Sequence, residues 1–222
     1  MPTLHLFNPN TTALVTERMV QVIEPRLQPG LKLQAYTATF GAPYISDEAS
    51  YAIAGHACVA WMQSMLDHEA IKPEDRVLIG CFGDPGLFAL REMAPCPVTG
   101  LACASFEVAS RYGRFGIVTG GQRWPAMLTR LAQALHMDSK LEQIEAIEAT
   151  GAQLAADRKA AIKLLTIACK QLQDRSQQAG RPLGAIVLGG AGLAGYAADI
   201  APSLQVPLID SVQAGLEISI NP

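Results

Sequence analysis

Two stretches of the chain carry the residue types that could do chemistry, and they are diverged copies of one pattern. The first reads Val77-Leu78-Ile79-Gly80-Cys81-Phe82-Gly83-Asp84-Pro85-Gly86-Leu87. The second reads Ile186-Val187-Leu188-Gly189-Gly190-Ala191-Gly192-Leu193-Ala194-Gly195-Tyr196. Each is an apolar run, a glycine and a small-residue loop, and position 190 lies 109 residues after Cys81. A thiol directly after a strand, in a loop opened by Gly83, Pro85 and Gly86, can serve as a base once ionised. A following helix N-terminus is expected to lower its pKa. The second copy has Gly190 at that position, which offers no proton and no base.

The repeat extends over most of the chain. Cys96-Pro97-Val98-Thr99-Gly100 aligns with Val206-Pro207-Leu208-Ile209-Asp210 at an offset of 110, and Leu4–Asn8 aligns with Phe115–Thr119 at 111. Apolar runs at Leu4–Phe7, Leu33–Thr37, Val77–Gly80, Val98–Leu101, Phe115–Thr119, Leu141–Ile147, Ala185–Gly189 and Leu208–Asp210 read as strands. Helix-length segments lie between them near Thr12–Glu24, Asp47–Asp67, Pro125–His136 and Gln153–Gln178. The last has Ala161, Leu165, Ala168 and Leu172 on one stripe, and Ser46 reads as the N-cap of the second. Alternating strand and helix predicts an α/β chain of two pseudo-symmetric domains. Each would hold a small, mainly parallel four-stranded sheet flanked by helices. The expected lobes are residues 1–97 with 206–222, and residues 98–205.

Ligand is expected between the lobes, at the carboxyl ends of the strands. Asn8 and Asn10 follow the first strand, and Thr119 and Gly120 hold the equivalent place in the second half. Beside free helix N–H groups they would cradle a carboxylate or carbonyl oxygen, or Asn10 and Thr11 would simply cap the helix. Phe82 and Gly83, with Gly190, Ala191 and Gly192, complete the expected binding loops. Arg123 reads equally as a partner for a substrate carboxylate or as a surface residue. Glu107 and Glu217, equivalent in the repeat, point to a shared structural task.

Composition narrows the class of function. A net charge of −3 with no basic run argues against nucleic acid. No apolar stretch reaches membrane-spanning length, and no basic-then-apolar leader opens the chain. Five cysteines without regular spacing read as reduced thiols, giving an expectation of a cytoplasmic protein. Four histidines lack ligand spacing, so no metal is expected. A homo-oligomer of unspecified order is expected. A competing pattern is Gly190-x-Gly192-x-x-Gly195 with Asp210 twenty residues after Gly190, the spacing of a dinucleotide fingerprint. The repeat gives those glycines a simpler origin.

The opening Asn8-Pro9-Asn10-Thr11, the string Cys81-Phe82-Gly83-Asp84-Pro85-Gly86-Leu87 and the late Val206-Pro207-Leu208-Ile209-Asp210 together resemble the Asp/Glu/hydantoin racemases, most of all the hydantoin and allantoin racemase branch. The resemblance implies cofactor-independent chemistry on a small carbon acid, an amino acid or a 5-substituted hydantoin or allantoin. It implies a pair of cysteines flanking the substrate, one removing the α-proton and the other reprotonating the opposite face. Cys81 matches the first of these, and Gly190 stands in place of the second. Racemisation then needs another acid, such as Cys103, Asp84 or a water. One-base decarboxylation of a malonate-type acid needs none. The arylmalonate decarboxylases are similar in having one cysteine, in the other half. Binding of a small acid without turnover is the non-catalytic alternative.

Overall fold

In the computed structural model, which describes residues 1–148, 154 and 157–221, all eight expected strands are present. The elements follow in order as β1 (Thr3–Asn8), α1 (Ala13–Ile23), β2 (Lys32–Thr37), α2 (Glu48–Asp67), β3 (Arg76–Ile79), α3 (Leu87–Met93), β4 (Val98–Gly100) and α4 (Leu101–Ser110). The second half repeats the plan with β5 (Phe115–Gly120), α5 (Trp124–Ala134), β6 (Leu141–Ile147), α6 (Arg158–Gln178), β7 (Ala185–Gly189), α7 (Ala197–Ile200), β8 (Leu208–Asp210) and α8 (Ser211–Ile220). The sheets run β2-β1-β3-β4 and β6-β5-β7-β8, with every pairing parallel. The expected start of the fourth helix, at Gln153, lies outside the described residues.

Strand alternation sorts the apolar side chains into layers. On β3, Leu78 joins the core between the sheets, while Val77 and Ile79 face outward to α2 and α3. On β7, Val187 joins the same central core, while Ile186 and Leu188 meet the stripe Ala161, Leu165, Ala168 and Leu172 of α6. Successive side chains on a strand point to opposite faces, so apolar runs with no polar alternation demand cover on both sides. The central core is continuous across the halves, from Leu4 and Leu6 through Phe82 and Phe106 to Phe115 and Ile117. Two adjustments concern helix ends. The cap of α2 is Asp47, not Ser46: its carboxylate accepts from Ser50 N–H at 2.8 Å, and Ser50 Oγ accepts from Asp47 N–H at 3.1 Å. Thr12 is the first flanking residue of α1 and makes no side-chain cap.

The boundaries expected at 97/98 and 205/206 each differ from the pairing by one strand. Val98–Gly100 lies beside β3 in the first sheet, and Leu208–Asp210 lies beside β7 in the second. The helices cross between halves instead of the strands. Helix α4, leaving the first sheet, packs on β7 and β8, and α8, leaving the second, packs on β3, β4 and α1. The two helices also pack on each other, where Arg111 binds Glu107 at 3.2 Å and Glu217 at 2.5 Å. That is the shared task of the two repeat-equivalent glutamates.

Candidate active site

The carboxyl ends of both sheets open into one cavity of about 260 Å³. Cys81 and Phe82 line it from the end of β3, and Gly190, Ala191 and Gly192 line it from the end of β7. Thr119 and Gly120 from β5 and Asn10 from the loop after β1 complete the expected set on this wall. The third strands of the two sheets occupy equivalent places, so Cys81 and Gly190 are the paired positions of the pseudo-symmetric cleft.

Two expected binding residues stand behind the wall. Asn8 is fully buried, and its Nδ2 donates to Asn10 Oδ1, Thr12 O and Thr16 Oγ1 at 3.0–3.2 Å. Its Oδ1 accepts from Asn10 N–H at 3.2 Å, so the side chain shapes the loop and has no donor left for a ligand. Gly83 likewise lies outside the cavity wall, with its carbonyl accepting from Tyr51 Oη at 2.8 Å. A Cβ on Gly83 would sit 2.4 Å from the Trp124 ring, which explains why this loop position is bare.

The rest of the wall was not legible in the sequence. Leu14, Val15 and Arg18 come from α1, Pro43, Tyr44 and Ile45 from the segment before α2, and Trp124 from the start of α5. The segment before α2 is tied to the second half. Tyr44 Oη donates to Gly120 O at 3.4 Å, and Arg130 makes a two-pronged ion pair with Glu48 at 2.6 and 2.9 Å. Arg123 stays outside the cavity wall, 3.5 Å from Asp47 at the surface. Apolar side chains dominate the wall, Arg18 is its charged residue, and among the described residues Arg18 has no ion-pair partner. Among the described residues no aspartate or glutamate lines it.

The expected activation of Cys81 by a helix N-terminus is overturned. A turn through Pro85 separates it from α3, which begins at Leu87. Burial pushes the thiol well above its ordinary value, and the Asp84 carboxyl and the Cys58 thiol push in the same direction. Cys81 therefore rests as a neutral thiol. Asp84 is itself buried at 1% exposure, and burial pushes its carboxyl up to about 7 against the pull of backbone N–H groups. Its two oxygens accept from Ala102 N–H at 2.9 Å and Cys103 N–H at 2.7 Å, capping α4. Asp84 and Cys103 both lie outside the cavity wall, so neither is placed there as a second acid.

Asp210 answers the dinucleotide pattern. Its carboxylate accepts from Val212 and Gln213 N–H at 2.9 and 3.2 Å and from Gly195 N–H at 2.8 Å. It caps α8 and fastens the loop, so both oxygens already serve the chain's own backbone. The glycines lead into a single 3-10 turn, Ala191–Leu193, and the four-residue α7, where a dinucleotide site needs a full helix.

The family model for Asp/Glu/Hydantoin racemase matches residues 4–218. The chain belongs to that family. It is 30% identical over 221 residues to a hydantoin racemase of Rhizobium meliloti, covering 97% of this chain and 86% of that one. A hydantoin racemase of Paenarthrobacter aurescens is 28% identical over 216 residues, covering 96% and 88%. Among solved structures, allantoin racemase from Klebsiella pneumoniae superposes with a TM-score of 0.87 at 28% identity, covering 100% of this chain and 87% of that one. The family's two-sheet α/β architecture is the one described above. No helix among the described residues is long and apolar enough to cross a membrane. The described residues also contain no cluster of three His, Cys, Asp or Glu able to hold a metal.

Proposed function

We propose that this racemase-family protein moves a proton on and off the α-carbon of a small cyclic amide of the 5-substituted hydantoin or allantoin class, at one face, through Cys81. The observation that carries this reading is the pairing of Cys81 with Gly190 in the wall of one cavity. One face of a bound ring meets a thiol, and the equivalent position on the other half has no side chain. The make-up of the wall supports this substrate class. An amino acid's α-ammonium group would find no carboxylate there, and burying an unpaired charge is costly. A neutral ring with an apolar substituent suits Leu14, Ile45, Phe82 and Trp124. Arg18 is the group that would meet negative charge developing on the ring's acyl oxygens. Ala191 and Gly192 open a short turn, so their N–H groups lack acceptors within it and can serve the same end.

The raised thiol fits the task. A weak carbon acid needs a strong base, and base strength rises with pKa, at the cost of a small ionised fraction at neutral pH. The neutral resting thiol also favours a second reading, decarboxylation of a malonate-type acid. There the carbon dioxide leaves first, and Cys81 donates its proton to the enolate that remains.

The deciding experiment follows single enantiomers of 5-substituted hydantoins and allantoin in D2O by NMR and optical rotation. Deuterium entering the α-position with rotation retained is the expected result, and Cys81→Ala should slow it by about 10²–10⁴-fold while preserving binding. Rotation lost in step with exchange would overturn the one-face reading and direct attention to the Tyr44 hydroxyl as a second acid. Absence of exchange, with carbon dioxide released from aryl- or alkylmalonates, would favour the decarboxylase.

A further inference from the structure

A second cavity, of about 150 Å³, opens at the amino ends of β3 and β4, the end of the first sheet opposite the cleft. Arg76 at the start of β3 and Arg91 at the end of α3 both line it, with Thr99 of β4 and Cys103 of α4. Both guanidinium groups are anchored by neutral partners. Arg76 Nη1 donates to the carbonyls of Glu74 and Asp75 at 2.8 Å. Arg91 donates from Nε to Val98 O at 3.1 Å and from Nη2 to Cys103 Sγ at 3.3 Å. Among the described residues neither arginine has a carboxylate partner. Among the described residues the one carboxylate on the wall, Glu107, is held by Arg111, and Ser219 Oγ is engaged with Gly215 O.

Thr99 adds an independent observation. It is 7% exposed, and among the described residues its buried Oγ1 has no nitrogen or oxygen partner, only the Cys103 sulfur beside it. Sulfur is a weak hydrogen-bonding partner, so a buried hydroxyl left with it alone forgoes most of an ordinary hydrogen bond, and native proteins seldom retain that without a reason. Two guanidinium forks beside a hydroxyl that lacks a strong partner are the donor set that phosphate, sulfate and carboxylate groups accept from.

We propose that this pocket binds a small oxyanion, held by Arg76 and Arg91 with Thr99 Oγ1 donating the buried hydrogen bond. The pocket borders the catalytic loop's anchor, since Cys103 lends its N–H to Asp84. The site is nonetheless separate from the cleft and does not depend on the reaction proposed for Cys81.

The test is calorimetric titration of the full chain with inorganic phosphate, sulfate and glycerol phosphate, with thermal unfolding measured alongside. Saturable binding with a rise in Tm is expected, lost in R76Q/R91Q and weakened roughly tenfold in T99V. Without anion, T99V should unfold within a degree or so of the wild-type temperature or above it, because its hydroxyl has only the weak contact with the Cys103 sulfur to lose. Tighter binding of glycerol phosphate than of phosphate would assign the pocket to a phosphate carried on a larger molecule, and the reverse order to the free ion. Three results would overturn the proposal. One is no saturable binding of any of these anions. Another is binding kept by R76Q/R91Q but lost in R18Q, which would place the anion in the cleft. The third is a changed sedimentation coefficient for R76Q/R91Q, which would assign the arginines to contacts between copies.

Discussion

Cys81 departs from the usual picture of a reactive cysteine. Its loop turns through Pro85 before α3 begins at Leu87, and burial with Asp84 nearby raises its pKa. If the thiolate is the base, the exchange rate should climb with pH and show no plateau up to pH 9, the ordinary value of a cysteine. A plateau near pH 7 would mean that another group takes the proton. Gly190 is equally informative. Its φ of +143° lies in a region that side chains seldom adopt, although a Cβ there would meet only Leu193, at 3.5 Å. The Gly190→Cys variant should therefore fit sterically while losing about 1–3 kcal/mol through the backbone. It should also convert exchange with retention into loss of optical rotation. Urea denaturation and polarimetry of this single variant check both parts.

At the scale of elements, the two halves cap their crossing helices by different routes. In the second half the cap of α8 is Asp210, at the strand end. In the first half the strand end is Gly100, and the carboxyl group comes from Asp84 in the loop that bears Cys81. The exchange is sterically linked, because a Cβ on Gly100 would lie 2.2 Å from Asp84 Cγ. The Gly100→Ala variant should expel Asp84, free the first N–H groups of α4 and displace the loop bearing Cys81. Both Tm and exchange rate should fall, and unchanged exchange would disconnect the cap from the site. Asp84 also gives a pH signature. Its folded pKa of about 7 lies above its unfolded value, so the folded chain keeps the proton where the unfolded chain releases it. That stability is complete below about pH 4 and lost as pH rises through about 7, a change of roughly 4 kcal/mol at most. In Asp84→Asn this pH dependence disappears, so wild type should lose stability relative to the variant between pH 4 and pH 8 in urea titrations.

For the whole molecule, the cleft is defined by how closely the halves approach. A Cβ on Gly189 of β7 would lie 2.2 Å from the ring of Phe82, which follows Cys81 in the other half. Bare backbone on one half thus receives an aromatic ring from the other, and the shared core continues from there. The Gly189→Ala variant should cost about 1–3 kcal/mol by overpacking and slow exchange by moving the Phe82 loop. Adding Phe82→Leu should restore most of the stability. A double variant no more stable than the single would show that the two residues do not press on one another.

Sequence alone determined the parts that depend on local pattern. Eight apolar runs had to be strands, the stripe on α6 had to face a sheet, and the repeat paired Cys81 with Gly190. These follow from side-chain periodicity and from the small number of ways to cover a parallel sheet. Tertiary structure alone decided which helices cross between the halves, because the tie between α4 and α8 joins residues about 106 apart. It also decided that Asn8 turns inward to hold its own loop while Thr119, its repeat mate, lines the cavity. Arg18, Tyr44 and Trp124 carry no motif and enter the wall only when distant segments meet. The state of Cys81 belongs to the same class: thiol and loop were visible in the sequence, but the burial that keeps the proton on sulfur exists only in the assembled fold.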